Sequence, residues 1–123
     1  MNGEEIVEVW GTGIPIREFI YVQDAAEGIV RATEMYDDLS PLNIGTGIGT
    51  SIKELVDLII SITGYKGELY NNTDQPDGQK EKVLDVTKMK DALDWQPKTS
   101  LQDGLQKTIS WFENNYEKAV SRW

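Results

Sequence analysis

Val9-Trp10-Gly11-Thr12-Gly13-Ile14-Pro15-Ile16-Arg17-Glu18-Phe19-Ile20-Tyr21-Val22-Gln23-Asp24 is the stretch on which the reading of this chain turns. Two β-branched and aromatic runs, Ile6 to Trp10 and Glu18 to Val22, flank Gly11-Thr12-Gly13-Ile14-Pro15. That pattern predicts two short strands joined by a loop. Asp24 then opens a helix, its carboxylate capping free amides with Glu27 three residues on. Ala26, Ile29, Val30, Thr33 and Tyr36 recur at helical spacing and are expected to form a buried stripe.

Downstream, Asp37, Asp38, Ser40 and Pro41 end that helix, and Leu42-Asn43-Ile44 reads as a short strand. Gly45-Thr46-Gly47-Ile48-Gly49-Thr50 delivers the chain to Ser51, which with Glu54 makes a capping box. The helix behind it carries Ile52, Leu55, Val56, Ile59 and Ile62, and Gly64 is placed to cap its end. Hydrophobicity then falls away apart from a Glu68-Leu69-Tyr70 strand, and Gln75-Pro76-Asp77-Gly78-Gln79 has the chemistry of an exposed turn. Val83 to Val86 regains β character. Asp85 or Thr87 starts a helix that Trp95-Gln96-Pro97 finishes, and Ser100 with Asp103 caps a last helix carrying Leu101, Leu105, Ile109, Phe112 and Tyr116. The predicted order is β-β-α-β-α-β-β-α-α. It implies a mixed α/β (α+β) fold of short strands and about four helices, one compact domain over residues 1–123.

Composition narrows the chemistry. The 123 residues are 39% hydrophobic and 27% charged, enough for a real core. With no Cys and no His, the chain has no thiol nucleophile, no usual structural zinc site and no imidazole proton shuttle. Twelve basic residues against twenty-one acidic ones leave a net charge of -9, which argues against a nucleic-acid partner, since phosphates demand a basic face. An anionic ligand must therefore depend on a few gathered cations. The acidic start, Met1-Asn2-Gly3-Glu4-Glu5, is unlike a secretory leader. Leu55 to Ile62, the greasiest run, is far short of the ~20 residues that span a membrane. A cytoplasmic chain without membrane attachment is the expectation.

Several motifs have two readings. Gly45-Thr46-Gly47, after an expected strand and before a helix, could cradle a phosphate, but Thr50 stands where a dinucleotide fingerprint needs its third glycine and no Gly-Lys-Ser/Thr follows. A tight strand-to-helix turn is the alternative. No tyrosine is followed four residues later by lysine: Ala25, Ser40, Leu69, Asp74 and Val120 hold those positions. Arg17 could present its fork to a pyrophosphate or simply meet solvent. Trp10 could be core or could stack on a base or sugar beside a glycine loop. Asp77 is by default a turn former, Lys80 and Lys82 an ordinary solvated pair. Asp74 with Asp77 could in principle serve as a carboxylate pair in a glycosidase-like reaction, without any sign of a cleft.

Taken together, the ordered set V-W-G-T-G-I-P-I-R-E-F-I-Y-V-Q-D, N-I-G-T-G, G-Y-K-G, P-D-G and D-W-Q-P resembles the C-terminal part of the extended short-chain dehydrogenase/reductases, the NAD(P)-dependent epimerases and dehydratases of nucleotide sugars. Within them the likeness is greatest to the GDP-L-fucose synthases, which epimerise and reduce GDP-4-keto-6-deoxy-mannose with NADPH. The resemblance runs from about Val7 to Tyr116. It implies nucleotide-sugar contacts at Trp10, Arg17 and Asp77, with Lys82 a further substrate-binding candidate. Gln23 and Gln79-Lys80-Glu81 depart from the family pattern, and Glu81 puts an anion near the proposed diphosphate site.

The resemblance also implies what another part of such enzymes supplies: the glycine-rich turn for NADP, the catalytic Ser with Tyr-x-x-x-Lys, and the His and Cys of epimerisation. The expectation is therefore a non-catalytic nucleotide-sugar-binding domain with no catalytic residues, metal or cofactor of its own, whose ligand is a GDP-sugar such as GDP-fucose. The rival expectation is an assembly module whose apolar face, vacated by the Rossmann part, is covered by a second copy or a partner protein.

Overall fold

The computed structural model describes residues 6–121; the acidic start at 1–5 lies outside them. The elements are β1 (Ile6–Trp10), β2 (Ile16–Glu18), α1 (Val22–Met35), β3 (Gly49–Ser51), α2 (Ile52–Thr63), β4 (Glu68–Asn72), β5 (Glu81–Lys82), α3 (Thr87–Leu93), α4 (Leu101–Asn114) and α5 (Tyr116–Val120). The expected order of strands and helices is present with one added helix, but its third strand is Gly49–Ser51, at the end of the expected glycine-rich turn, in place of Leu42-Asn43-Ile44. Asn115, at φ -124° and ψ 17°, interrupts the last helix, so the expected four helices are five among the described residues.

The strands form two small sheets. β1 lies parallel to β4 over its full length, from Ile6 opposite Glu68 to Trp10 opposite Asn72. In the other sheet β2 is central, antiparallel to β3 and parallel to β5. The parallel pairings require the long crossovers that α1 and α2 provide.

The core is small and sits between α1 and α3. Val86, Met89, Leu93 and Trp95 are buried, and Ala32, Tyr36, Leu42 and Ile44 pack against them. Gly28 on α1 makes this possible: a Cβ there would meet two atoms of the Trp95 ring at 2.8 Å and Ile44 Cγ2 at 2.9 Å. The Trp95 indole donates to Glu27 Oε1 at 3.0 Å, closing the contact with its polar edge satisfied.

Caps written in the sequence are realised where their partners are local. Ser51 and Glu54 form the capping box of α2, Gly64 closes that helix at φ 66°, and Ser100 accepts from the Asp103 amide at the start of α4. The Asp24 cap is corrected. α1 begins at Val22, its N-cap Tyr21 makes no side-chain cap, and the buried Asp24 carboxylate instead accepts from the Lys98 and Thr99 amides at 3.2 and 2.8 Å. The carboxylate thus ties the segment before α4 to α1.

The predicted buried stripe of α1 is also corrected. Ala26, Ile29, Val30 and Thr33 are exposed, Tyr36 is half-buried, and the inward face is built on Asp24 and Gly28. Three strands move as well. Leu42-Asn43-Ile44 forms no ladder: Ile44 joins the core and Asn43 Nδ2 donates to the Asp85 carbonyl at 3.1 Å. The β character at Val83 to Val86 is spent on packing, because the Leu84 amide goes to Glu18 Oε2 at 2.9 Å, and pairing is confined to Glu81–Lys82. Likewise the strand expected at Glu18 to Val22 is Ile16–Glu18, since Val22 already belongs to α1.

Candidate functional site

Gly11 to Pro15 is the hub on which the two sheets and α2 meet. The Gly11 amide donates to the Asn72 carbonyl at 2.8 Å, and Asn71 Nδ2 donates to the Gly11 carbonyl at 3.1 Å, holding the loop to β4. The first amides of α2, Ile52 and Lys53, donate to the carbonyls of Pro15 and Gly13 at 3.1 and 2.9 Å. Thr12 reaches the third neighbour. Its amide donates to Asp77 Oδ1 at 2.7 Å and its hydroxyl to Asp77 Oδ2 at 2.8 Å.

Arg17 leaves this hub on β2. One guanidinium nitrogen donates to the Ile16 carbonyl at 2.7 Å and the other to the Asp77 carbonyl at 3.4 Å. Lys82 is the register partner of Arg17 across the parallel β2–β5 pair, so two cations stand side by side in a chain of net charge -9. Gly78, at φ 72°, lies beside the guanidinium: a Cβ there would approach Arg17 Nη2 to 3.6 Å. Trp10 ends β1 opposite Asn72 and is 68% exposed, which answers the choice between core and surface. The structure thus brings Arg17, Lys82 and Asp77 together and leaves Trp10 at the rim of the same loop. The clefts of about 640 Å³ beside Asp85 and Lys88 and about 400 Å³ beside Arg31 and Lys98 are lined by other residues. Arg17 is half-buried and Lys82 exposed.

The glycine-rich turn before α2 does not fit a dinucleotide. Thr46 N donates to Glu18 Oε1 at 2.6 Å, a side-chain carboxylate standing where a bound anion would stand. The amides of Ile52, Lys53 and Glu54 are taken by Pro15 O, Gly13 O and Ser51 Oγ. A phosphate at this helix end would find its donors already used. Glu18 joins the turn to the segment at Leu84 and Thr12 joins the glycine loop to Asp77. Neither role was legible, because the partners lie 28 to 66 residues away; the only signal was a hydroxyl between two glycines.

Four carboxyl or ammonium groups are tuned by neighbours. Hydrogen bonds from the Ser51 amide and hydroxyl hold Glu54 below its usual range, and those from Ser40 and Thr87 do the same for Asp38 and Asp85. Lys53 is raised by its hydrogen bond and ion pair with Asp57. None belongs to the Arg17 cluster. Among the described residues no group of three or more acidic, His or Cys side chains could hold a metal ion, and no helix is long and apolar enough to cross a membrane.

This arrangement, two small sheets and five helices among the described residues, matches part of the NAD-dependent epimerases and reductases of the short-chain dehydrogenase/reductase class. UDP-glucose 4-epimerase from Thermotoga maritima, solved with UDP-glucose, superposes with a TM-score of 0.82 at 36% identity, over 93% of this chain and 36% of that one. A GDP-L-fucose synthetase from Naegleria fowleri bound to NADP gives 0.86 at 25% identity, over 91% of this chain and 36% of that one. The sequence model of the GDP-mannose 4,6 dehydratase family matches residues 1–108, and the chain belongs to that family. Similarity is pronounced to GDP-L-fucose synthase 1 of Arabidopsis thaliana, 42% identical over 94% of this chain and 35% of that protein. The chain spans about a third of the length of the curated relatives it matches.

Proposed function

We propose that this chain is the nucleotide-sugar-binding part of a GDP-L-fucose-synthase-like NADPH-dependent epimerase/reductase, a single domain over residues 1–123, and that by itself it binds a GDP-sugar without transforming it. The observation that carries this reading is Arg17, steadied by the Asp77 carbonyl and set beside Lys82 in register. A planar fork and a mobile ammonium on neighbouring strands suit a diphosphate, which accepts bidentate and point-charge hydrogen bonds together. Trp10 packs its exposed indole on a flat face of the ligand. Asp77, whose two oxygens keep lone pairs beyond those given to Thr12, accepts from ligand hydroxyl or amine donors. GDP-fucose and GDP-4-keto-6-deoxy-mannose are the ligands this predicts, in the cytoplasm, with no nucleic acid or membrane as partner.

Hydride transfer needs a held nicotinamide and a proton donor at the carbonyl. The Thr46 amide of the turn is taken by Glu18 and the first amides of α2 by Pro15 and Gly13, and the chain has no Tyr-x-x-x-Lys, so we assign no catalytic residue and no cofactor to it. Calorimetry with GDP and GDP-fucose tests the binding reading, and no heat at millimolar ligand ends it.

A second reading is favoured by a specific observation. Val22, Ile29 and Val30 on α1 are 70%, 59% and 56% exposed, and Trp111 on α4 is 59% exposed. Large apolar side chains at helical spacing on an open face are the usual mark of an interaction surface. In this reading the chain is an assembly module that covers the α1 stripe with a second copy or a partner protein. Sedimentation velocity distinguishes the two: a monomer at high concentration removes self-association.

A further inference from the structure

Thr12 holds the Asp77 carboxylate by two bonds, one from its backbone amide and one from its hydroxyl, and the Asp77 carbonyl in turn accepts from Arg17. The Thr12 amide and hydroxyl each take one carboxylate oxygen, at 2.7 and 2.8 Å, and the hydroxyl also accepts from the Ile14 amide at 3.2 Å. The Asp77 carbonyl then receives Arg17 Nη2 at 3.4 Å. Gly11 is shaped to this arrangement: it sits at φ 79°, and a Cβ there would collide with Asp77 Oδ1. A free Pro-Asp-Gly turn would leave the carboxylate to rotate in solvent. Here both of its oxygens are pinned from the far side of the site, across 65 residues of chain, and the carbonyl of the same residue is aimed at the guanidinium.

We propose that Thr12 is a positioning residue: it fixes Asp77, and through the Asp77 carbonyl it sets the orientation in which Arg17 meets a diphosphate. This rests on the reading of Arg17 and Asp77 as nucleotide-sugar contacts, and assigns to the threonine of the glycine loop a part in ligand selection that no charge or ring on it would suggest. The hydroxyl is the operative group. Serine retains it, and valine removes it at nearly constant shape while leaving the amide bond to Oδ1. A bound carboxylate with fixed lone pairs accepts from ligand donors in one geometry only, so Thr12 favours a ligand whose hydroxyl or amine lies at a set distance from its diphosphate.

The test compares parent, Thr12→Val and Thr12→Ser in two measurements on the whole chain. In the ligand-free state, 1H-15N spectra report the Gly78 amide and the Arg17 Nε-H. Thr12→Val is expected to shift both and Thr12→Ser to leave both near the parent. Calorimetry with GDP is expected to show about fivefold weaker binding for Thr12→Val, the size of one ordinary hydrogen bond because the lost contact acts on the ligand only through Asp77, with Thr12→Ser restoring it. In Asp77→Ala, adding Thr12→Val should cost less than about a further twofold, because the two act as one unit. Unmoved Gly78 and Arg17 signals in Thr12→Val, an affinity equal to the parent, equal damage from serine and valine, or multiplying losses in the double variant each overturn the proposal. A parent that binds no GDP ends the functional reading instead, and the spectra of the ligand-free chain still judge Thr12.

Discussion

Glu18 accepts the Thr46 amide at 2.6 Å and, through its other oxygen, the Leu84 amide at 2.9 Å. One half-buried carboxylate therefore joins the glycine-rich turn before α2 to the segment after β5, on the residue next to Arg17. Glu18→Ala removes two charge-assisted bonds and leaves two amides seeking partners. We expect it to lower unfolding stability by about 2 to 3 kcal/mol. Urea unfolding followed by tryptophan fluorescence measures this, and a loss below about 0.5 kcal/mol, the level of an ordinary surface change, contradicts the role.

Gly28→Ala sets helix propensity against packing. Alanine improves an exposed helix by about 1 kcal/mol, but its Cβ here would stand 2.8 Å from two Trp95 ring atoms. Overpacking of a filled core costs about 1 to 3 kcal/mol. The second effect wins at this separation, so the variant is expected to be less stable than the parent in a thermal melt, and a higher melting temperature would show the opposite.

Arg17→Ala is expected to weaken GDP binding by about ten- to a hundredfold, the range for removing a charge-assisted contact to phosphate. Lys82→Ala, which removes an exposed point charge from β5, should cost less, and raising the salt concentration should erode the parent's affinity. Calorimetry at two ionic strengths reads all three effects; parent-like binding by Arg17→Ala excludes the site.

Acid weakens the α2 cap in a defined direction. Glu54 has its pKa lowered by the Ser51 amide and hydroxyl, so its contribution is fully present above the unfolded carboxylate range and is lost as pH falls through the folded value. Glu54→Gln should be less stable than the parent at neutral pH, and the gap should close on acidification. Asp85, lowered by Thr87, follows the same sign. A gap that widens toward low pH is incompatible with this cap.

Ile29→Glu, on the exposed face of α1, should leave folding intact, because nothing in the core depends on that side chain. If copies of the chain associate through this face, the substitution should shift sedimentation toward the monomer by placing a charge in an apolar contact. An assembly unchanged by Ile29→Glu locates the interface elsewhere.

Short-range physics accounts for the caps. The Ser51–Glu54 box, the Gly64 cap and the Ser100–Asp103 cap each need partners three or so residues away, and each is where the residues put it. The alternation of strands and helices was equally legible from periodicity, and the family from the order of its motifs. Tertiary structure alone decided which face of α1 is buried, since periodicity groups Ile29 with Ala26 and Thr33 without saying what lies opposite, while Gly28 admits Trp95 on the other side. It also redirected Asp24 from its own helix to Lys98 and Thr99, gave Leu84's amide to Glu18 rather than to a ladder, and placed Thr12 on Asp77 and Arg17 beside Lys82. A carboxylate takes whichever amides the fold brings to it, and only chain crossovers determine which those are.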